Sequence, residues 1–287
     1  MTNYQTNQKT NQRTKRTNRL RAAVLGAVLF LTACGTEEAG DVTVIGATSG
    51  PYSDQLNEGV QEALEGTRTI RVVEFNDYIQ PNRSLVEGSI DANVFQHGLF
   101  LANYTNETDE PLVGVFSVPT APIGLYSKRH DALTDVSRGH RIALPNDPVN
   151  LARSLRQIAS YGWATFDDTV PPEAWTERDV VDNPHDLVFD TLDAATLPRT
   201  LDDVDFAFIN GNYALASGLT FDEAVALEET PDDYLIQFTV TEEDASSDWV
   251  EDVRRAYASR AFYDYTKNET PGYVIPDWLK EAWHDYD

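Results

Sequence analysis

The chain has 287 residues, with 47 Asp and Glu against 22 Lys and Arg and a formal net charge of −25. A surface of that sign repels nucleic acid and anionic lipid headgroups, so no nucleic acid is read as a partner. The single cysteine, Cys34, excludes a disulfide within the chain and any cysteine-based zinc or iron–sulfur centre, and the fold must rest on its core.

Residues 1 to 21 carry six basic residues (Lys9, Arg13, Lys15, Arg16, Arg19 and Arg21) and no acid, and the twelve-residue apolar run Ala22 to Ala33 follows. This is the pattern of a secretory signal. The run is too short to cross a bilayer, which takes about 20 apolar residues. It ends in Leu31-Thr32-Ala33-Cys34, small residues ahead of the cysteine as in a bacterial lipobox; an ordinary cleavage site with an incidental cysteine after it is the alternative. On the lipobox reading, residues 1–33 are a signal peptide and Cys34 becomes the acylated first residue. Its palmitate-type chains then hold the protein at the membrane, where one chain alone binds only marginally. With the leader gone, 16 basic residues face 47 acidic ones and the formal charge becomes −31. Residues 34–41, ending in Gly-Thr-Glu-Glu-Ala-Gly-Asp, read as a solvated tether.

From Val42 onward, apolar β-rich runs alternate with helical patterns. The runs are Val42 to Ala47, Ile70 to Phe75, Ala92 to Phe95, Leu112 to Val118, Arg141 to Leu144, Val204 to Ile209 and Tyr234 to Val240. Near-continuous apolar runs predict strands buried on both faces, hence a mainly parallel sheet covered by helices. Leu56, Val60, Ala63 and Leu64 share one helical face, and Gly66 closes that helix. About 250 residues of this pattern exceed one small sheet, so two lobes are expected. The Gly46 to Pro51 turn lies between a strand and a helix. No Gly-Lys-Ser/Thr follows it, which excludes a phosphate-binding Walker loop.

The stretch Val72 to Phe100 packs strand, helix, strand and an aromatic cluster into very few residues. Polar Glu74, Asn76, Asp77 and Tyr78 follow one strand and Gln96, His97 and Phe100 the next, and ligands of open α/β sheets bind beyond such strand ends. Tyr78, Phe95, His97 and Phe100 thus form a mostly apolar wall with polar tips. On this stretch alone the same aromatics fit an ordinary core equally well.

At Pro145 to Arg153, Asp147 suits the N-cap of a helix and Pro148 its first position. Leu151, Leu155, Ile158 and Ala159 form the core face, and Asn150 and Arg153 share another. A guanidinium beside the positive end of a helix is a natural carboxylate receptor; a surface Arg is the alternative. Asp202 to Tyr213 reads as a strand ending at Asn210, whose amide can accept from an ammonium and donate to a carboxylate, and Gly211-Asn212-Tyr213 as the turn into the next helix. Trp249 to Ala261 is helical in pattern. The extension Asp277 to Asp287, with Trp278, Leu279 and Trp283, has no evident place.

No nucleophile elbow, His-Glu-x-x-His or paired-His spacing occurs, and the chain is not read as an enzyme. The histidines (His97, His130, His140, His185, His284) are scattered, and neither a metal site nor a cofactor is expected. After Met1 the chain contains no methionine, so a thioether ligand would have to be held by aromatics rather than by another thioether.

Four motifs in order, FNDYIQPN, GSIDANVFQH, LPNDPVNLARSL and DDVDFAFINGNYAL, resemble the NlpA/MetQ family of methionine-binding lipoproteins of ABC importers, and the similarity runs from about Val42 to about Pro276. The resemblance implies an α/β fold of two lobes, like type II periplasmic binding proteins, with a ligand cleft between them. It sets residues 42–122 plus 230–287 as lobe I and 123–229 as lobe II, with crossovers near Thr120 to Leu125 and near 220–232. It implies a lipid-anchored extracytoplasmic protein that hands L- or D-methionine to a membrane permease and its ATPase. Arg153 falls on the family's carboxylate-binding Arg, Asn150 on a polar pocket residue and Asn210 on the Asn that binds the ligand's amino-acid group, with Tyr78, Phe95, His97 and Phe100 around the side chain. The chain departs from the family at Tyr52, commonly His, whose role is left open, and at Phe100, usually Tyr. The alternatives are another small amino acid or a methionine-containing dipeptide, and further off a metal-binding or non-transport surface lipoprotein.

Overall fold

The computed structural model describes residues 42–286. The signal, the lipidated Cys34 and the tether lie outside these residues. Strands in chain order are β1 (Val42–Thr48), β2 (Thr69–Phe75), β3 (Ala92–His97), β4 (Leu112–Ser117), β5 (Gly124–Tyr126), β6 (Arg141–Pro145), β7 (Thr165–Phe166), β8 (Val180–Asp182), β9 (Val188–Leu192), β10 (Phe206–Ile209), β11 (Ala224–Leu227) and β12 (Ile236–Thr241). They form one sheet of order β2-β1-β3-β12-β4, a second of order β11-β5-β10-β6-β9, and the small β7-β8 pair. Each large sheet is the centre of an α/β lobe.

The sheets are mixed, not mainly parallel. β1, β2 and β3 run parallel, as do β10, β6 and β9, whereas β12 is antiparallel to β3 and β4, and β5 is antiparallel to β10 and β11. The reason lies in the connections. The chain passes between the sheets at residues 118–123 and 228–235, and the strand entered from each passage, β5 or β12, starts at the inter-lobe side and runs away from it. The other strands flanking these two end on that side. Apolar runs report burial but carry no direction, so the sequence pattern missed this reversal. The two passages lie side by side: Val118 N donates to Ile236 O at 2.8 Å and Glu228 N to Ile123 O at 3.1 Å. Residues 224–227, within the second crossover expected from sequence, instead pair with β5 as an edge strand.

The helix of residues 51–63 (α1) contains a π-helical turn, Gln55–Val60. Gly59 sits in that turn because a Cβ there would lie 2.6 Å from Phe262. After α2 (Gln80–Val86), α3 (Gly98–Thr108), α4 (Pro148–Ser160) and α5 (Gly211–Ala216), the expected helix at 249–261 is two: α6 (Asp248–Tyr257) and α7 (Arg260–Glu269). Ser259 separates them and caps α7 by accepting from Phe262 N at 3.2 Å. The last helix, α8 (Asp277–Ala282), lies in the extension.

Lobe cores are distinct. Ile45, Leu56, Val60, Phe238, Tyr257 and Phe262 centre the first, and Ile142, Leu144, Leu155, Ile158, Phe206 and Phe208 the second, all fully or almost fully buried. The α4 face predicted from spacing, Leu151, Leu155 and Ile158, is buried in the second, with Ala159 packed against it.

Candidate ligand-binding site

The ends of β3, β6 and β10 meet the two inter-lobe passages around one narrow cavity, with about 20 Å³ open to a water-sized sphere. Tyr78, Phe95, His97, Phe100, Asn150, Arg153 and Asn210, the seven residues singled out by sequence, all line it. So do Tyr52, Asn212, Tyr234 and Ile236, which sequence reasoning left unassigned or placed in a turn.

One end is aromatic. Phe95 lies 5.9 Å from both Tyr78 and Phe100 between ring centroids, and the Phe95–Phe100 and Tyr78–Phe100 pairs meet edge to face. Tyr78 extends across the cleft, donating to Asn212 Oδ1 at 2.6 Å. Tyr52, fully buried, accepts from Ala121 N at 3.3 Å and so ties α1 to the first passage.

The other end is polar. Asp147 caps α4 by accepting from Asn150 N at 2.9 Å, and Pro148 takes the first helical position, as the sequence predicts. Its carboxylate also accepts from Asn150 Nδ2 at 3.1 Å, which turns Asn150 Oδ1 toward the cleft. That oxygen accepts from His97 Nε2 at 3.3 Å and from Asn210 Nδ2 at 3.1 Å. The His97 tautomer follows: Nδ1 accepts from Phe100 N at 3.2 Å, so the ring proton is on Nε2. Burial raises the Asp147 carboxyl above its usual range, while the hydrogen bonds from Asn150 act against it.

Two buried atoms, one in this network and one on the Tyr78 partner, lack a partner among the described residues, Asn210 Oδ1 and Asn212 Nδ2. One is an acceptor and the other a donor, and buried groups of this kind are normally satisfied. Both belong to residues that line the cavity. Gly211 between them is required by packing, since a Cβ there would fall 2.5 Å from Pro122 O in the first passage.

Arg153 is buried, but it is not a lone cation. Its Nε donates to both carboxylate oxygens of Glu228, at 2.9 and 3.0 Å, and its Nη2 bonds one of them. Its guanidinium carbon lies 4.2 Å over the Tyr234 ring, and Tyr234 packs in turn on His97 at 4.7 Å. Sequence reasoning missed Glu228, which stands in an acid-rich stretch where no spacing marks it.

Burial holds the His97 imidazole well below its ordinary range, and the Arg153 charge pushes the same way, with the Asn150 hydrogen bond opposing. The neutral ring is therefore the folded form. Because the unfolded chain takes up this proton first, the contribution is fully present above a pH of about 6.5 and is lost as pH falls below it, by up to about 1.4 kcal/mol per unit. The expected result is a urea midpoint that drops between pH 7 and 5.5 less steeply in His97→Gln than in wild type. Equal slopes would mean that His97 is not held neutral.

The structure corrects the reading of the histidines as scattered. His130 and His140 stack at 4.6 Å between ring centroids beside Asp205, with ligand atoms within 4.8 Å of one another. The three do not line the cleft: Asp205 accepts from Arg141 N at 2.8 Å, and its other carboxylate oxygen lies 3.4 Å from His130 Nε2. Asp205 instead ties together the loops before β6 and β10, at the end of the second lobe away from the cleft.

Two α/β lobes joined by paired passages, with an enclosed cavity aromatic at one end and polar at the other, define a cleft-type substrate-binding protein. Residues 43–278 match the family described as NlpA lipoprotein, and the chain belongs to that family. It is 34% identical over 262 residues to outer membrane lipoprotein 3 of Mannheimia haemolytica, covering 91% of this chain and 98% of that one. It is 32% identical to the D-methionine-binding lipoprotein MetQ of Escherichia coli strain K12, over 89% of this chain and 96% of that one. Among solved structures, a nutrient-binding protein from Burkholderia cenocepacia bound to methionine matches with a TM-score of 0.77 and 35% identity, over 81% of this chain and 99% of that one.

Proposed function

We propose that this chain is an extracytoplasmic lipoprotein, anchored through Cys34, that captures methionine between its lobes and delivers it to an ABC importer permease driven by a cytoplasmic ATPase. Arg153 takes the carboxylate, Asn150 and Asn210 the backbone polar groups, and Tyr78, Phe95, His97 and Phe100 the side chain. Lobe I comprises residues 42–122 plus 230–287 and lobe II residues 123–229, and ligand closes them by a hinge at the paired passages. The protein acts by binding, not catalysis.

The observation that carries this reading is the unpartnered pair Asn210 Oδ1 and Asn212 Nδ2, on residues that line the same cavity as Arg153. A free α-amino acid brings an ammonium for the acceptor and a carboxylate for the donors. The ring edges at the other end suit a thioether. Methionine-binding relatives and a methionine-bound neighbour of the same architecture support the ligand. Mass spectrometry of small molecules released on denaturing the purified protein, followed by titration calorimetry with L- and D-methionine, tests it. Release of a different amino acid or a dipeptide, with no heat on adding methionine, overturns the ligand assignment.

Asn210→Ala removes the free acceptor and one donor to Asn150. A hydrogen bond to a charged group contributes about 1.5–3 kcal/mol, so a loss of roughly tenfold to a hundredfold in methionine affinity is expected at about 1.4 kcal/mol per decade. An affinity within threefold of wild type would remove Asn210 from the site. For the anchor, Cys34→Ala is expected to yield protein that incorporates no labelled fatty acid and is retained as precursor or shed. Labelling of that variant would end the lipobox reading.

A further inference from the structure

Resting on the amino-acid reading of the cleft, we propose that Glu228 makes the pocket selective for zwitterions: by neutralising Arg153 it bars carboxylates that carry no ammonium.

Arg153 and Glu228 are both shut from solvent, with side chains 4% and 9% exposed. Their hydrogen bonds use Nε and Nη2 of the guanidinium, so Nη1 and the outer edge of the fork are not engaged by Glu228. Thr230 Oγ1 donates to the same carboxylate at 3.3 Å, which fixes it further. Arg153 can therefore donate to a second carboxylate through its outer edge while its charge is already balanced.

Of the other charges near the polar end, Arg156 favours an anion and Asp147, when ionised, opposes it. Arg156 approaches Tyr234 and Glu173 on the partly exposed side, its Nη1 3.7 Å from Glu173 Oε1. Asp147 lies behind Asn150 and adds negative charge when ionised. His97 has Nδ1 occupied by Phe100 N and its proton directed at Asn150, and is neutral there.

Charge accounting then separates ligand classes. A zwitterionic amino acid adds no net charge to the closed cavity, and its ammonium partly offsets the repulsion between its carboxylate and Glu228. A des-amino carboxylate adds one full negative charge to a cavity whose cation, Arg153, is already balanced by Glu228, which does not itself line the cavity, and like charges with little water between them interact strongly. An unpaired Arg153 would attract the des-amino carboxylate as strongly as that of the zwitterion, leaving only the ammonium contact at Asn210 Oδ1 to favour the amino acid. Glu228 is thus a specificity-determining residue that acts through Arg153, distinct from a residue that only orients it.

The test compares methionine with 4-(methylthio)butanoate, which lacks only the α-amino group, by titration calorimetry on wild type, Glu228→Gln and Glu228→Asp at pH 7.5. Wild type and Glu228→Asp are expected to favour methionine by at least a hundredfold. Glu228→Gln is expected to bind the des-amino analogue at least tenfold more tightly than wild type does. A role limited to positioning Arg153 or supporting the fold predicts the opposite, a weaker or unchanged affinity for the analogue, and that result overturns the proposal. Should Glu228→Gln not fold, the wild-type comparison still decides: binding of the analogue within tenfold of methionine refutes charge selection. Failure of wild type to bind methionine at all is a separate outcome, which refutes the amino-acid reading on which this one stands.

Discussion

Replacing Arg153 by Ala is expected to lower methionine affinity by roughly two to three orders of magnitude and, separately, to destabilise the unliganded protein. Both follow from one feature, a buried guanidinium serving two carboxylates. For the ligand, a carboxylate closed into the cavity without its cation costs about 3–5 kcal/mol, and about 1.4 kcal/mol corresponds to a factor of ten. For the fold, removing Arg153 strands the Glu228 carboxylate, whose side chain is 9% exposed and whose remaining partner is Thr230 at 3.3 Å. Breaking a buried pair from one side is far more costly than removing both members. The double variant Arg153→Ala with Glu228→Gln is therefore expected to recover most of the lost stability and none of the lost affinity. Arg153→Lys is expected to retain binding only in part, since an ammonium cannot offer separate fork edges to Glu228 and to ligand. Calorimetric titration and urea unfolding of the four proteins provide the measurements. An alanine variant that binds as wild type does would exclude Arg153 from recognition, and unchanged apo stability would exclude the load placed on Glu228.

What could be seen in the sequence was local. Asp147-Pro148 fixes the start of α4 through short-range rules, so the face carrying Asn150 and Arg153 could be placed without any tertiary information. The strand ends at Tyr78, His97 and Asn210 were visible because apolar runs stop there and polar residues begin. What could not be seen depends on distant pairing. Glu228 is 75 positions from Arg153, one acid among 47, and only the fold selects it. Asn212 looked like a turn residue because its spacing is that of a helix start, and its partner Tyr78 lies 134 positions away. The reversed strand β12 has the same apolar composition as its parallel neighbours, and β5 (Gly124–Tyr126) is too short to stand out as an apolar run and overlaps the end of the expected first crossover; the crossovers decide the direction of both. His130, His140 and Asp205 come together for the same reason, as loop ends of adjacent strands.

The extension after Pro276 had no place in the sequence reading, and it gives the largest expected effect on stability. Trp283 is 5% exposed and Leu279 fully buried, both in the first-lobe core. The Trp283 ring packs on Tyr263 at 5.6 Å and Phe262 at 6.1 Å between centroids, and its Nε1 donates to Tyr257 O at 3.2 Å. Trp278, one turn earlier, covers Phe116 and donates to Ser117 O at 2.8 Å, at the end of β4 where the first passage begins. The two indoles thus fasten α8 to α6, α7 and the end of the edge strand β4. Truncating a buried Trp to Ala removes its burial and leaves a cavity, together costing about 3–5 kcal/mol. Trp283→Ala is accordingly expected to lower the unfolding free energy by about that amount in guanidinium titrations. Methionine affinity of the folded protein should stay within roughly threefold of wild type, since no residue of the extension lines the cavity. A stability loss below about 1 kcal/mol would show that the extension rests on the lobe without being part of its core, because surface substitutions usually stay within about 0.5 kcal/mol.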